Sequence, residues 1–259
     1  MRNYFTFGGI DSRNYGVYLS GDGIFSVPAR NYEFAPIPGK TGDLVLGGKR
    51  LENFELTYQC FIAPVGGSCG NYSNYKEAFF ALRNALLSVN GYAQLADSYT
   101  AGRYYEAVYV GDMTADSTTK LDAGEFELTF NCNPLRFFTN TTTVAFTAGG
   151  SFDIPTDGHR GFPIVTTVGT GNLSLFRTGV VAVQDQVFVT QNFANGLVID
   201  SKLMDCYSVD DNSVTANKYV RFLKYRFPQF NPVGEAISTK YVLNSTGLSG
   251  TVVVRWYDL

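Results

Sequence analysis

LENFELTYQCFI, residues 51–62, sets Phe54, Leu56, Tyr58, Cys60 and Ile62 on one side of an extended chain and Glu55, Thr57 and Gln59 on the other. Strict alternation of apolar and polar residues is the period of a strand with one face buried. GEFELTFNC, residues 124–132, repeats it with Phe126, Leu128, Phe130 and Cys132 as the inward face. Two such strands with aromatic inner faces specify a sheet over a core.

Between them the period changes to 3.6. In NYSNYKEAFFALRNALLSVNG, residues 71–91, Tyr75, Ala78, Phe79, Leu82, Leu86 and Val89 trace one stripe, which predicts a helix over about residues 74–90 packed on the sheet. Asn74 followed by Glu77 has the spacing of a capping box, and Gly91 suits the left-handed C′ position. Residues 92–111 then read as a hairpin, YAQLADSY and YYEAVYVG, turning at Thr100, Ala101 and Gly102.

Near residue 134 the pattern changes again. NCNPLRFFTNTTTVAFTAGGSF (131–152) brings a proline expected to end the strand and then a Thr-rich stretch, and no helical period appears after it. Short strands separated by turn signals come next: FPIVTTVG, LSLFR, QVFVTQNF, GLVIDSK, DCYSV, AISTKYVL and TVVVRWYDL. That spacing predicts an antiparallel sandwich. The expected fold class is therefore mainly β with one α-helix in the N-terminal half, in two domains, 1–137 and 138–259.

Composition agrees. A chain of 259 residues, 45% hydrophobic and 15% aromatic, can bury one large core or two medium ones, and its length favours two. Charged residues make up only 17% and the net charge is −3, which gives no electrostatic footprint for gripping nucleic acid or an anionic membrane. An aromatic, weakly charged balance suits extensive protein contacts. The N-terminus MRNYFTFGGI has no basic leader or apolar segment of signal-peptide length, and no later run approaches a membrane span, so synthesis and folding in a cytoplasm are expected.

Catalytic chemistry finds few residues to use. PIPGKTGDL (36–44) holds a Gly-Lys-Thr tripeptide, but a phosphate loop would need a glycine where Phe34 stands and a helix after Thr41. Thr41 leads instead into Gly-Asp-Leu-Val-Leu, a turn and a short strand. His159, the single histidine, lies in the turn-rich run TDGHRGFP. There is no Gly-x-Ser-x-Gly elbow, and Cys60 and Cys132 lie in alternating strands rather than at helix starts. Cys60, Cys69, Cys132 and Cys206 lack Cys-x-x-Cys spacing and read as free buried thiols. Asp210, Asp211 and Asn212 lack the glycine and distal glutamate of a calcium loop and read as a hairpin tip. Asn-x-Ser/Thr triplets at Asn71, Asn140, Asn172 and Asn244 imply nothing without a secretion signal. No catalytic, cofactor-binding or metal-binding residue is assigned, and the expectation is a protein that is not an enzyme and uses no cofactor.

The order of these features resembles the distal tail protein family of long-tailed, siphophage-type bacteriophages. FTFGGIDSRNYGVYL, the run from PARNYE to IPGKTGDL, and GGKRLENFELTYQCFI resemble its N-terminal strand, arm-like loop and paired strand, and GEFELTFNCNPLRF resembles the close of its first domain. GFPIVTTVGTGNLSL, GLVIDSKLMDCYSV and VVVRWYDL resemble its second domain, a galectin-like β-sandwich. The chain departs from the pattern at Glu235, where an asparagine is expected, and at STKYVLNSTGLSG, a longer hairpin than usual.

The resemblance implies a structural protein of the virion. N-terminal tail-tube-like domains form a homo-hexameric ring with a central channel for DNA, and the galectin-like domains project outward. The implied partners are the major tail protein on one ring face, the tail-tip or tail-associated lysin protein on the other, and receptor-binding proteins. No sequence-specific DNA contact is implied. Residues 20–48, sparse in apolar periodicity, are then the arm that straps a neighbouring subunit. The alternative is a carbohydrate-binding module contacting host glycans, which would need exposed aromatic faces. The only tryptophan, Trp256, alternates with Val252 and Val254 on what reads as a core face, with Val253, Arg255 and Tyr257 on the other.

Overall fold

The computed structural model describes residues 2–21, 28–63, 69–111, 113, 115–117, 124–177, 183–209, 216–223, 226–232 and 237–259. Asp210, Asp211, Asn212 and Glu235 lie outside the described residues, as do residues 22–27 of the arm. The chain divides into two compact units, the first comprising Met1–Thr139 together with Leu259, the second Asn140–Asp258.

The first unit is built from β1 (Phe5–Phe7), β2 (Ile10–Asp11), β3 (Val17–Leu19), β4 (Arg30–Ala35), β5 (Leu44–Leu51), β6 (Phe54–Ile62), α1 (Tyr75–Ser88), β7 (Ala93–Asp97), β8 (Arg103–Tyr109), β9 (Ala115–Ser117) and β10 (Gly124–Phe146), within which the unit ends. The two strands read first from the sequence pair with each other: β6 and β10 are antiparallel, with Phe130 opposite Leu56 and Leu128 opposite Tyr58. From β10 the sheet continues through β8 and β7 to β1 and β2, and from β6 to β3. Every pairing is antiparallel, and the bridge between Asn3 and Leu19 brings the N-terminal segment back to β3.

The predicted faces hold. Leu56, Tyr58, Cys60, Ile62, Phe126, Leu128, Phe130 and Cys132 all belong to the core of this unit, with Phe5 and Phe7. Helix α1 closes it: Tyr75, Ala78, Phe79, Leu82 and Leu86 are buried, and the Phe79 ring meets Phe126 edge-on at 5.5 Å. Asn74 caps the helix, its side chain accepting from the Glu77 N–H at 3.0 Å. The C-terminal end differs from expectation, because Val89 is the C-cap and Gly91, with φ of +73°, lies one residue beyond C′. The hairpin after the helix is as read, with β7 on β8 and Gly102 in the left-handed region.

Pro134 does not end its strand. β10 runs through it, and the register on β8 shifts between Cys132 and Arg136. A bulge is where a sheet tolerates a residue with no N–H to donate.

The second unit contains β11 (Ser151–Pro155), β12 (Arg160–Arg177), β13 (Val183–Val189), β14 (Leu197–Asp200), β15 (Asp205–Ser208), β16 (Val220–Phe222) and β17 (Lys240–Asp258). β12 and β17 pair along their whole length. The first half of β12 also carries β14 and then β15, while its second half carries β13 and then β16, and β11 adds to the start of β17. Pro163, Val165 and Val252 from one half face Leu173, Leu175, Val187 and Leu243 from the other around an apolar void of about 20 Å³. This is an antiparallel sandwich whose two sheets share their longest strands.

Those long strands correct three expectations. FPIVTTVG and LSLFR form one strand, AISTKYVL and TVVVRWYDL contribute to another, and STKYVLNSTGLSG, expected as a hairpin, is continuous strand from Lys240 onward. Glycines that signal turns locally serve here as close approaches between backbones. A Cβ on Gly171 would lie 1.9 Å from the Thr246 carbonyl oxygen, and one on Gly247 would lie 2.2 Å from that of Thr170. The register shift falls at this place, between Gly169 and Asn172, so the glycines bend the paired strands rather than reverse them.

Trp256 faces the core with Val252 and Val254, as read, and its indole N–H donates to Thr142 Oγ1 at 2.8 Å. Tyr257 on the opposite face is buried too, its ring stacked on Phe162 at 4.8 Å. Asn231, buried in a left-handed conformation, joins three segments: its Nδ2 donates to the His159 and Ser238 carbonyls, and its Oδ1 accepts from the Ser238 N–H and the Tyr241 hydroxyl.

Candidate assembly surface

β4 and β5 form a two-stranded sheet of their own. Antiparallel register sets Phe34 opposite Val45, Glu33 opposite Leu46 and Ala35 opposite Leu44, with an irregularity between Arg30 and Tyr32 where Gly47 takes φ of +80°. Alternation therefore puts Tyr32, Phe34 and Val45 on one face and Leu44, Leu46 and Glu33 on the other. Tyr32 and Phe34 are ring neighbours at 6.2 Å.

Neither face is covered. Tyr32, Phe34, Ile37, Leu44, Val45 and Leu46 are between 36% and 61% exposed. Six large apolar side chains exposed within 15 residues leave both faces of the hairpin apolar, whereas single exposed hydrophobics are ordinary. An isolated hairpin is marginal in water, so a long one with two apolar faces is built to be covered.

The Gly-Lys-Thr tripeptide lies at the tip of this hairpin. Lys40 N–H donates to the Ile37 carbonyl at 3.1 Å, Gly39 and Gly42 take φ of +80° and +90°, and β5 begins directly after them. No helix N-terminus stands behind Thr41 to hold a phosphate. The tripeptide is a turn, as its context predicts.

A second exposed apolar surface was not read from the sequence. Phe80 and Leu87 stand on the outer side of α1, 54% and 59% exposed, and Tyr92 beyond the helix is 54% exposed. The signal was present: both helical residues fall off the buried stripe and, seven apart, share the opposite face.

The residues considered for chemistry are engaged in structure. His159 lies in a turn, its backbone N–H donating to the Thr156 carbonyl at 2.7 Å. The buried carboxylates Asp185 and Asp200 are each paired with an arginine, Asp185 with Arg226 Nε at 3.1 Å and Asp200 with Arg255. Among the described residues no group of three His, Cys, Asp or Glu side chains gathers to hold a metal, and no helix is long and apolar enough to cross a membrane. An open depression of about 650 Å³ borders Phe188, Thr190, Arg221 and Leu223 on β13 and β16.

The four cysteines are buried free thiols. Burial pushes the thiol of Cys60 far above its ordinary value and raises those of Cys132 and Cys206 to about 12. A thiol that stays protonated in the fold and ionises near 9 when unfolded contributes stability that is complete below that value and is lost as pH climbs toward 12. The native protein is therefore expected to resist an aromatic disulfide reagent at about pH 8, to release four thiols on unfolding, and to melt at progressively lower temperature above about pH 9. Rapid labelling of Cys132 or Cys206 in the native state would contradict this.

Comparison of the sequence with protein-family models and with curated proteins finds no match. The fold, however, is similar to that of two solved phage proteins. It is similar to the crystal structure of Dit (gp 19.1) from phage SPP1, described as a paradigm of the hub adsorption apparatus in phages infecting Gram-positive hosts, with a TM-score of 0.68, 16% identity, and 100% of both chains covered. A chain of the phage p2 baseplate, in its activated conformation with strontium, is similar with a TM-score of 0.50 and 9% identity over 99% of this chain and 98% of that one.

Proposed function

We propose that this chain is a structural protein of a phage or prophage tail, a hub at the distal end of the tail that joins the tail tube to the tip and host-adsorption proteins. The reading rests on one observation above the others: the fold is shared with the SPP1 hub protein from end to end, covering 100% of each chain. The exposed β4–β5 hairpin supports it, because a hub must hold copies of itself together and this element offers apolar faces with nothing on them.

In this reading the first unit forms a homo-hexameric ring, and the ring encloses a channel for DNA. The weak net charge of −3 suits a channel, since each cation that neutralises a phosphate would add affinity for the passing strand. The tail-tube protein and the tail-tip protein are the two axial partners, and receptor-binding proteins attach outside.

Negative-stain images and light scattering of the purified protein, taken across a concentration series, test this directly. Rings of six copies with a central opening are the expected result, growing in with concentration as mass action requires. A protein that stays monomeric at every concentration and is absent from particles probed with a specific antibody would refute the reading.

A further inference from the structure

The hairpin needs a receiving surface, and the first unit carries one of matching chemistry. Along the outer face of α1 the exposed residues are Lys76, Phe80, Arg83 and Leu87, two cations interleaved with two apolar side chains at i, i+4, i+7 and i+11. The hairpin face bearing Leu44 and Leu46 carries Glu33 directly opposite Leu46. Lys76, Arg83 and Glu33 are all exposed and make no ion pair among the described residues.

We propose that the outer face of α1 receives the β4–β5 hairpin of a second copy of this chain. Leu44 and Leu46 cover Phe80 and Leu87, while Glu33 meets Arg83. The inference rests on the assembly reading above and names the two surfaces that it requires. Dimensions agree: a two-stranded ribbon is roughly 10 Å wide with its side chains, and seven helical residues separate Phe80 from Leu87 by about 10 Å. The contact is not made within one chain, since both surfaces lie bare in the same molecule. It is heterologous, so each copy that donates its hairpin still offers its helix, and a rotation between copies closes the set into a ring. Acid facing base sets register and orientation, and the apolar pairs supply the burial.

Two proteins of different size, one carrying Leu46→Cys and the other a fused tag and Leu87→Cys, are mixed under mild oxidation. A disulfide-linked species of mixed mass is expected, and it can form only between chains. Separately, Arg83→Glu is expected to weaken self-association about tenfold, and adding Glu33→Lys in the same chain to restore it, a rescue that a folding defect would not show. If the unaltered chain assembles while the mixed disulfide is missing and Arg83→Glu assembles normally, the docking is wrong and the hub reading stands. If the unaltered chain never associates, both fall.

Discussion

Deleting residues 30–46 leaves a folded monomer. The six apolar side chains removed are between 36% and 61% exposed and contribute nothing to the core cluster of the first unit. Fully burying a side chain of this kind is worth about 1.5–3 kcal/mol, so covering the exposed halves of Leu44 and Leu46 and of Phe80 and Leu87 facing them amounts to roughly 4 kcal/mol per contact before ordering costs are subtracted. Even a few kcal/mol of surplus corresponds to about a hundredfold or more in the association constant. The melting temperature should change little, because the Ala29 carbonyl, which accepts from the Glu52 N–H at 2.9 Å, keeps the base of the excised loop closed. Light scattering that finds the deletion variant assembled like the full chain would remove the hairpin from any account of the hub.

The range of each interaction decides how far it was legible in the sequence. The faces of β6 and β10 and the buried stripe of α1 were legible because each is a local period, repeated within one element. The long strands β12 and β17 were not. Gly169, Gly171 and Gly247 carry the same local signal whether a chain reverses or two backbones cross closely, and only the distant partner decides between them. Pro134 misled in the same way, since a proline ends a strand unless, as here between Cys132 and Arg136, its own strand bulges away from the neighbour and asks no N–H of it.

The assembly surface was half legible for a related reason. Tyr32 and Phe34, and Leu44 and Leu46, alternate as core strands do, and sequence alone does not say that no layer lies over them. Residues 20–48 read as a strap because glycine and proline punctuate them, whereas the structure pairs Arg30–Ala35 with Leu44–Leu51 in a hairpin with defined faces. Phe80 and Leu87 were overlooked because an apolar residue in an amphipathic helix draws notice only when it joins the buried stripe. Exposed apolar residues on the opposite face say as much about partners as the stripe says about the core.

The contrast between Phe130 and Phe80 separates those two roles within a single unit. Phe130 is fully buried, with the rings of Phe7 at 5.0 Å, Tyr109 at 5.6 Å, Phe5 at 5.9 Å and Tyr58 at 6.1 Å around it. Its partners come from β1, β6 and β8, so the ring ties the N-terminal strand to the middle of the sheet. Phe130→Ala is expected to cost about 3–5 kcal/mol, which lowers the melting temperature by roughly 10–20 °C in a unit of this size. Phe80→Ala removes the same atoms from a site 54% exposed and should leave stability within about 0.5 kcal/mol. Self-association should reverse the order: the Phe80 variant, stable and folded, loses assembly, while the Phe130 variant assembles at temperatures where it remains native. Calorimetry and light scattering on the two proteins read both quantities. A Phe130→Ala protein that melts within about 3 °C of the original would show that this aromatic cluster is not what holds the unit together.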